Sequence, residues 1–84
     1  MPLDPSSLFP QLQSLIAEAI DIPPDDVHPE LAFGDLPQWD SLGHMEIMLR
    51  LEDQFGIEMD AELIGELTSV PSITRYLANR NGTE

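Results

Sequence analysis

Ser41 is the residue whose type and position most favour chemistry, because it follows Asp40 and precedes a helical pattern of apolar residues. A serine or aspartate at such a place most often caps the helix by accepting a hydrogen bond from a free backbone N–H. The partial positive charge of a helix N-terminus also favours an attached phosphate group. These residues therefore permit a covalent modification of Ser41 but do not require one.

His44 follows Ser41 by three residues, so it could be considered a general base for that hydroxyl. Helical spacing puts His44 on the apolar stripe of its helix, and no third group is evident that would orient the ring. We therefore expect either a packed histidine or one that lies near a group attached to Ser41, and a Ser41–His44 hydrolase is the weakest of three hypotheses. No metal site is predicted either, because His28 lies among acidic residues without a recognised ligand spacing.

The length and charge of the chain limit its function. Eighty-four residues form a single domain over 1–84 with little room for a catalytic cleft, so we expect no enzyme activity. Sixteen acidic residues against three arginines give a net charge of −13, which disfavours nucleic-acid and membrane binding and favours partners with basic patches. The sequence contains no cysteine and no apolar run long enough to span a membrane, and residues 1–11 lack the pattern of a signal peptide. We therefore expect a cytoplasmic monomer.

The apolar pattern predicts an all-α fold, a four-helix bundle with a long first loop and a short third helix. The first helix would begin at a cap on Ser6 or Ser7, with Pro10 tolerated in its opening turn, and would end at Pro23-Pro24. The second helix is predicted over Ser41–Phe55, with Gly56 as its stop. The third would run from a cap at Asp60 through Leu67, and the fourth, capped by Ser69, from Val70 to about Asn79. The ordered core would span about residues 6–79, with 80–84 as a frayed tail.

The connection from about residue 21 to residue 40 carries four prolines and a glycine, which forbid a continuous helix. It also carries more apolar residues than a solvated linker needs, and a structureless connection of this length is commonly functional. We expect Leu31 and Phe33 to pin it against the helices, so that Trp39-Asp40-Ser41 is presented at its far end.

The helix predicted over 41–55 carries two apolar stripes. Its core-facing stripe covers a sector of about 100° and contains His44, Ile47, Met48, Leu51 and Phe55. A second group lies on a neighbouring face and has carboxylates beside it: Leu42, Met45 and Leu49, flanked by Glu46, Glu52 and Asp53. Apolar side chains rimmed by carboxylates predict a docking surface for other proteins. The alternative is a central helix whose second stripe is buried by its neighbours.

The segment Asp40-Ser41-Leu42, continued by the run from Met45 to Ile57, resembles the prosthetic-group region of acyl carrier proteins. The similarity extends downstream through Thr68-Ser69-Val70 and Ile73 to Leu77. Upstream it includes Ile22-Pro23, Val27 and the segment 31–36, so that it covers residues 12–77. The resemblance implies an acyl-carrier-like four-helix fold over a single carrier domain.

The resemblance also implies how such a chain would work. A phosphopantetheinyl transferase would attach 4′-phosphopantetheine from coenzyme A to Ser41, with Asp40 helping to present the serine. The thiol of this arm would carry acyl or aminoacyl groups as thioesters between acyl-loading and acyl-transferring enzymes. Those enzymes would dock on a recognition surface formed by Leu42, Met45, Glu46, Leu49, Glu52 and Asp53.

Two positions depart from the carriers of fatty acid synthesis. Gly43 stands where those carriers usually have an acidic residue after the Ser-Leu pair, and Trp39 replaces a small or acidic residue. These departures favour polyketide, peptide, D-alanyl or other specialised pathways, although fatty acid synthesis remains an alternative. A second hypothesis, that the chain is an acidic helical interaction module with Ser41 only a helix cap, also stays open.

Overall fold

The computed structural model describes the backbone of residues 5–82 and the side chains of residues 8–79. Four helices make up the fold: α1 over Pro5–Ala19, α2 over Ser41–Phe55, α3 over Ala61–Glu66 and α4 over Val70–Gly82. A 3-10 turn over Pro24–Asp26 lies in the long connection after α1. Within residues 5–82 no strand forms, and an isolated antiparallel bridge joins Ala32 to Ser69. The predicted all-α bundle with a short third helix is confirmed.

The predicted capping residues mark the start of α3 and the end of α2. Asp60 caps α3 by accepting a hydrogen bond from the Leu63 N–H at 2.8 Å. Helix α2 ends at Gly56, whose φ of 66° and ψ of 36° lie in the left-handed region that glycine adopts without strain. Both helices therefore have nearly the predicted limits.

The predicted outer ends of the bundle are wrong. The described part of α1 starts at Pro5, so Ser6 and Ser7 lie inside the helix, and Pro10 is not in a turn that opens after a serine cap. Helix α4 includes residues up to Gly82, past the predicted end at about Asn79, since asparagine and glycine lower the helix propensity of a final turn without excluding it. Residues 83–84 of the predicted tail lie outside the described residues.

The hydrophobic core lies where α1 packs against α2 and α4. Each of these three helices supplies residues with essentially no exposed surface: Leu8, Leu12 and Ile16 from α1, Ile47, Met48 and Leu51 from α2, and Ile73 and Leu77 from α4. Trp39, from the long connection, is the largest fully buried side chain among the described residues. The core thus extends from the helices into the segment directly before Ser41.

The long connection is fixed largely by its backbone. Phe33 donates its N–H to the Thr68 carbonyl at 2.8 Å, and the Val70 N–H donates to the Leu31 carbonyl at 2.8 Å, which ties the connection to the start of α4. Leu31 is buried as predicted. Phe33 contacts the helical part of the fold as predicted, through its N–H on the Thr68 carbonyl and its ring on His44 of α2, although 44% of the residue is exposed. Trp39, from the same connection, is fully buried.

Candidate functional site

Asp40, and not Ser41, caps helix α2. The Asp40 backbone is extended, and its Oδ1 atom accepts a hydrogen bond from the Gly43 N–H at 2.9 Å. Its carbonyl oxygen accepts the first helical bond, from the His44 N–H at 2.7 Å. Ser41 is consequently the first residue of the helix, and it is exposed. The hypothesis that Ser41 is only a helix cap is therefore wrong.

The surroundings of Ser41 fit a bulky phosphodiester substituent. The residue is exposed at the N-terminus of a 15-residue helix, where the helix dipole favours a negatively charged group. Its neighbours Asp40 and Leu42 are exposed as well, so an enzyme has access to the hydroxyl from outside the domain. Asp40 would hold the serine at the helix start, and the arm itself would supply a thiol for thioester chemistry.

The second stripe of α2 lies on the surface. Leu42 is 81% exposed, Met45 42% and Leu49 55%, so the alternative in which neighbouring helices bury this face is wrong. The predicted flanking carboxylates Glu46 and Asp53 are also exposed. A large exposed apolar group on such a small domain is typical of an interaction site.

The other two charged groups on α2 have intramolecular partners. Glu52 is half-buried, and its Oε2 atom accepts a hydrogen bond from the Met59 N–H at 3.2 Å. Arg50 lies 3.6 Å from Glu46 and 3.5 Å from Glu18, which joins α2 to α1 at the surface. Exposed ion pairs of this kind contribute little to stability. Of the three predicted acidic docking residues, Asp53 is the one for which the structure gives no such contact.

His44 is packed, as predicted from its place on the core stripe. It is 7% exposed, and its Nδ1 atom accepts a hydrogen bond from the indole Nε1–H of Trp39 at 3.0 Å. Its Nε2 atom donates to the Ile64 carbonyl at 2.8 Å, a pattern that fits the neutral ring with its proton on Nε2. Both ring nitrogens are engaged, so His44 has no free nitrogen to activate Ser41. The hydrolase hypothesis is therefore wrong.

The contact between Trp39 and His44 was not predicted from the sequence. The two rings stack at 21° with centroids 6.2 Å apart. Two rules could have indicated that such a contact exists. A buried indole N–H requires an acceptor, and a histidine on a core stripe requires partners for both ring nitrogens. Neither signal identifies the other residue, because the pairing depends on how the long connection folds back.

Gly43 lies in close contact with the long connection. A Cβ atom at this position would collide with the Gln38 carbonyl oxygen, and it would lie 2.9 Å from Cγ2 of Ile20. The first of these neighbours is backbone and cannot rotate away. The absence of an acidic side chain at residue 43 is therefore a steric requirement of this particular loop.

Two further types of site are not found in the part of the chain that the structure describes. Among residues 5–82, no group of three or more histidine, cysteine, aspartate or glutamate side chains is placed to hold a metal ion. The helices within the same range are all too short or too polar to cross a membrane.

The fold and site define a class of small helical domain that presents an exposed serine and an exposed apolar stripe on one helix. Residues 10–77 match the family described as the phosphopantetheine attachment site. The chain is 26% identical to an acyl carrier protein of Thermosynechococcus vestitus over 93% of this chain and 96% of that protein. It is 31% identical to acyl carrier protein 3 of Ralstonia nicotianae over 84% and 82%, and 32% identical to an acyl carrier protein of Acidothermus cellulolyticus over 94% of each.

The chain therefore belongs to the phosphopantetheine-bearing acyl carrier protein family. It carries 4′-phosphopantetheine as a covalent prosthetic group, and it is a carrier on which enzymes act rather than a catalyst. Proteins of this family interact with a phosphopantetheinyl transferase and with biosynthetic enzymes.

Proposed function

We propose that Ser41 is the residue to which the 4′-phosphopantetheine arm is attached. The observation that carries this proposal is that Ser41 is exposed at the first position of α2 while Asp40 performs the capping. Because Asp40 is held by the Gly43 N–H, it fixes the backbone on which Ser41 is presented to the transferase. The negative charge of an attached phosphodiester would lie at the N-terminus of α2, where the helix dipole stabilises it.

The attachment reaction balances as a phosphoryl transfer. The Ser41 oxygen attacks the phosphorus atom of coenzyme A that bears the pantetheine group, and a new P–O bond forms there. The pyrophosphate P–O bond breaks, and adenosine 3′,5′-bisphosphate leaves with the bonding electrons. The serine proton passes to a base of the transferase, since His44 has both nitrogens engaged.

Intact mass spectrometry tests the assignment of Ser41. The chain is incubated with coenzyme A, Mg²⁺ and a broad-specificity phosphopantetheinyl transferase, alongside Ser41→Ala and Ser14→Ala variants. Ser14 is an exposed serine on α1 and serves as the matched control. We expect one added phosphopantetheine on the native chain and on Ser14→Ala, and none on Ser41→Ala. Modification of Ser41→Ala, or failure of the folded native chain to gain the arm with several transferases, would falsify the assignment.

We further propose that partner enzymes dock on the exposed stripe of α2. Leu42, Met45 and Leu49 would supply apolar contact, and Glu46, Glu52 and Asp53 would attract basic patches on acyl-loading and acyl-transferring enzymes. The half-buried position of Glu52 and its bond to the Met59 N–H make it the most rigid of the three acids. This arrangement supports repeated transient docking rather than permanent assembly.

For the pathway, we propose specialised biosynthesis, such as polyketide or peptide assembly or D-alanyl transfer. The steric requirement for Gly43 supports this proposal, because the acidic residue usual in carriers of fatty acid synthesis has no room here. A test is to compare loading of the holo carrier with acetyl, malonyl and aminoacyl groups by enzymes of each class. Preferred loading by a fatty acid synthesis transacylase would contradict the proposal. The cytoplasmic location and the monomeric state remain predictions.

A further inference from the structure

The ring of Phe33 is an exposed aromatic group close to the start of α2. Phe33 is 44% exposed, whereas the other aromatic residues with described side chains are buried or half-buried. A single exposed apolar residue is ordinary on a protein surface. Phe33 differs from an ordinary surface residue in how firmly it is held and in where it lies.

Phe33 is held by its backbone and by its ring. Its N–H donates to the Thr68 carbonyl at 2.8 Å. Its ring packs edge-to-face on the His44 ring, with centroids 5.6 Å apart and an interplanar angle of 85°. His44 is in turn fixed by the Trp39 indole and the Ile64 carbonyl. The exposed ring of Phe33 therefore packs on a buried support, the His44 ring, whose two nitrogens are both hydrogen-bonded.

Phe33 contacts the first turn of α2, the turn that begins with Ser41, because its ring packs on His44. The next residue, Gly34, donates its N–H to the Trp39 carbonyl at 3.1 Å, two residues before Ser41. At 100° per residue, the direction of Ser41 on α2 falls between His44, about 60° to one side, and Met45, about 40° to the other. His44, on which Phe33 packs, adjoins Ser41 along the helix because residues three apart are neighbours, although the His44 ring itself is buried. The first turn of α2 thus has two exposed apolar groups near the attachment serine, Phe33 and the stripe that begins with Leu42 and Met45.

We infer that Phe33 is a contact residue for the phosphopantetheinyl transferase, which would cover both sides of Ser41 when it binds. This inference rests on the proposed attachment at Ser41. An enzyme that acts on the serine oxygen itself must approach closely enough to cover the residues on either side of it. An aromatic ring that is already fixed in place gives binding energy at a small cost in ordering. The transferase surface facing Phe33 would be apolar, with basic groups towards the acidic carrier.

Steady-state kinetics of arm attachment to Phe33→Ser and Phe33→Leu test this inference. For Phe33→Ser we expect the KM for the carrier to rise by about five- to tenfold with little change in kcat, as for loss of an interface contact. Phe33→Leu, which keeps an apolar side chain, should recover most of the loss. Gln54→Ser, an exposed change at the far end of α2, serves as the control and should behave as the native chain.

The readouts separate contact from fold and from the proposed attachment site. The emission maximum of the buried Trp39 in Phe33→Ser should match that of the native chain, which shows that Trp39 and His44 keep their places. The melting temperature should fall only slightly, by the loss of the ring contact with His44, and should stay well above the assay temperature. An unchanged KM for Phe33→Ser, with Ser41→Ala still unmodified, would overturn the contact while leaving Ser41 as the attachment site. A change in KM that appears only together with a red-shifted Trp39 emission would also overturn it, since the effect would then come from the support.

Discussion

The interaction between Trp39 and His44 joins three parts of the chain at the scale of single residues. Trp39 ends the long connection, His44 belongs to the first turn of α2, and Ile64 lies in α3. Each of these buried polar atoms finds its partner within the group. If a buried donor loses its acceptor, the folded state is destabilised by the free energy of desolvating that donor, because no hydrogen bond compensates for it. The start of α2 should therefore depend on His44 for its stability.

Replacing His44 with leucine tests this dependence. The change removes the acceptor for the Trp39 indole and the donor to the Ile64 carbonyl, so we expect a loss of about 1–3 kcal/mol in the free energy of unfolding. Urea denaturation followed by circular dichroism measures the effect. His28→Leu makes the same chemical change at an exposed position and should lie within about 0.5 kcal/mol of the native chain. Equal stability of the two variants would contradict the role given to His44.

Residue-level prediction from sequence succeeded where a local rule decides the outcome. The core-facing position of His44 and the existence of a second apolar stripe follow from helical spacing, whereas the exposure of that stripe required the structure to decide between a docking surface and a central helix. Phe33 and Trp39 could not be distinguished in this way, because both are aromatic residues in an irregular connection. Their burial depends on the backbone bonds that join the connection to α4, which no periodic pattern encodes.

Helix α2 is the element on which the site depends. Its limits follow from Asp40 and Gly56, which act through local hydrogen bonding and backbone conformation. The cap predicted at Ser6 or Ser7 and the end predicted at about Asn79 fall inside α1 and α4, because serine and asparagine favour helix ends without excluding the helix interior. The limits of α2, which carries the site, were therefore predictable from sequence, because Asp40 and Gly56 mark its two ends by local hydrogen bonding and backbone conformation.

The exposed stripe of α2 should contribute to docking and little to folding. We expect Leu49→Ser to change the free energy of unfolding by no more than about 0.5 kcal/mol, because Leu49 is 55% exposed. The kcat/KM for attachment of the arm, or for loading of the holo carrier, should fall several-fold. Asn79→Ser on α4 is the control at an exposed position off this stripe. A large loss of stability in Leu49→Ser would show that the stripe has a structural role instead.

Charge is the property that acts at the scale of the whole molecule. A net charge of −13 on 84 residues produces a field that attracts basic surfaces and also repels the chain from itself. Salt screens both effects over a Debye length of about 10 Å at 0.1 M. Added salt should therefore weaken docking to basic partners without destabilising the folded carrier.

Raising the NaCl concentration tests this expectation in a single series. The KM for the carrier in arm attachment should increase as salt rises, because electrostatic steering weakens, while kcat changes little. The melting temperature of the carrier over the same range should rise or stay constant, because repulsion among the acidic residues is relieved. A KM that is independent of salt would mean that the acidic residues do not steer the partner.

The close contact of Gly43 with the Gln38 carbonyl also limits how this carrier could be redesigned. A natural way to redirect a carrier to enzymes of another pathway is to graft the surface charges of that pathway's own carrier onto it. At residue 43 such a graft would introduce a side chain against backbone, and the loop that holds Trp39 would have to move. We therefore expect that such a graft succeeds only if the whole segment from Gln38 to Gly43 is exchanged together. The choice of partner enzymes would then depend on the conformation of this loop as well as on single surface charges.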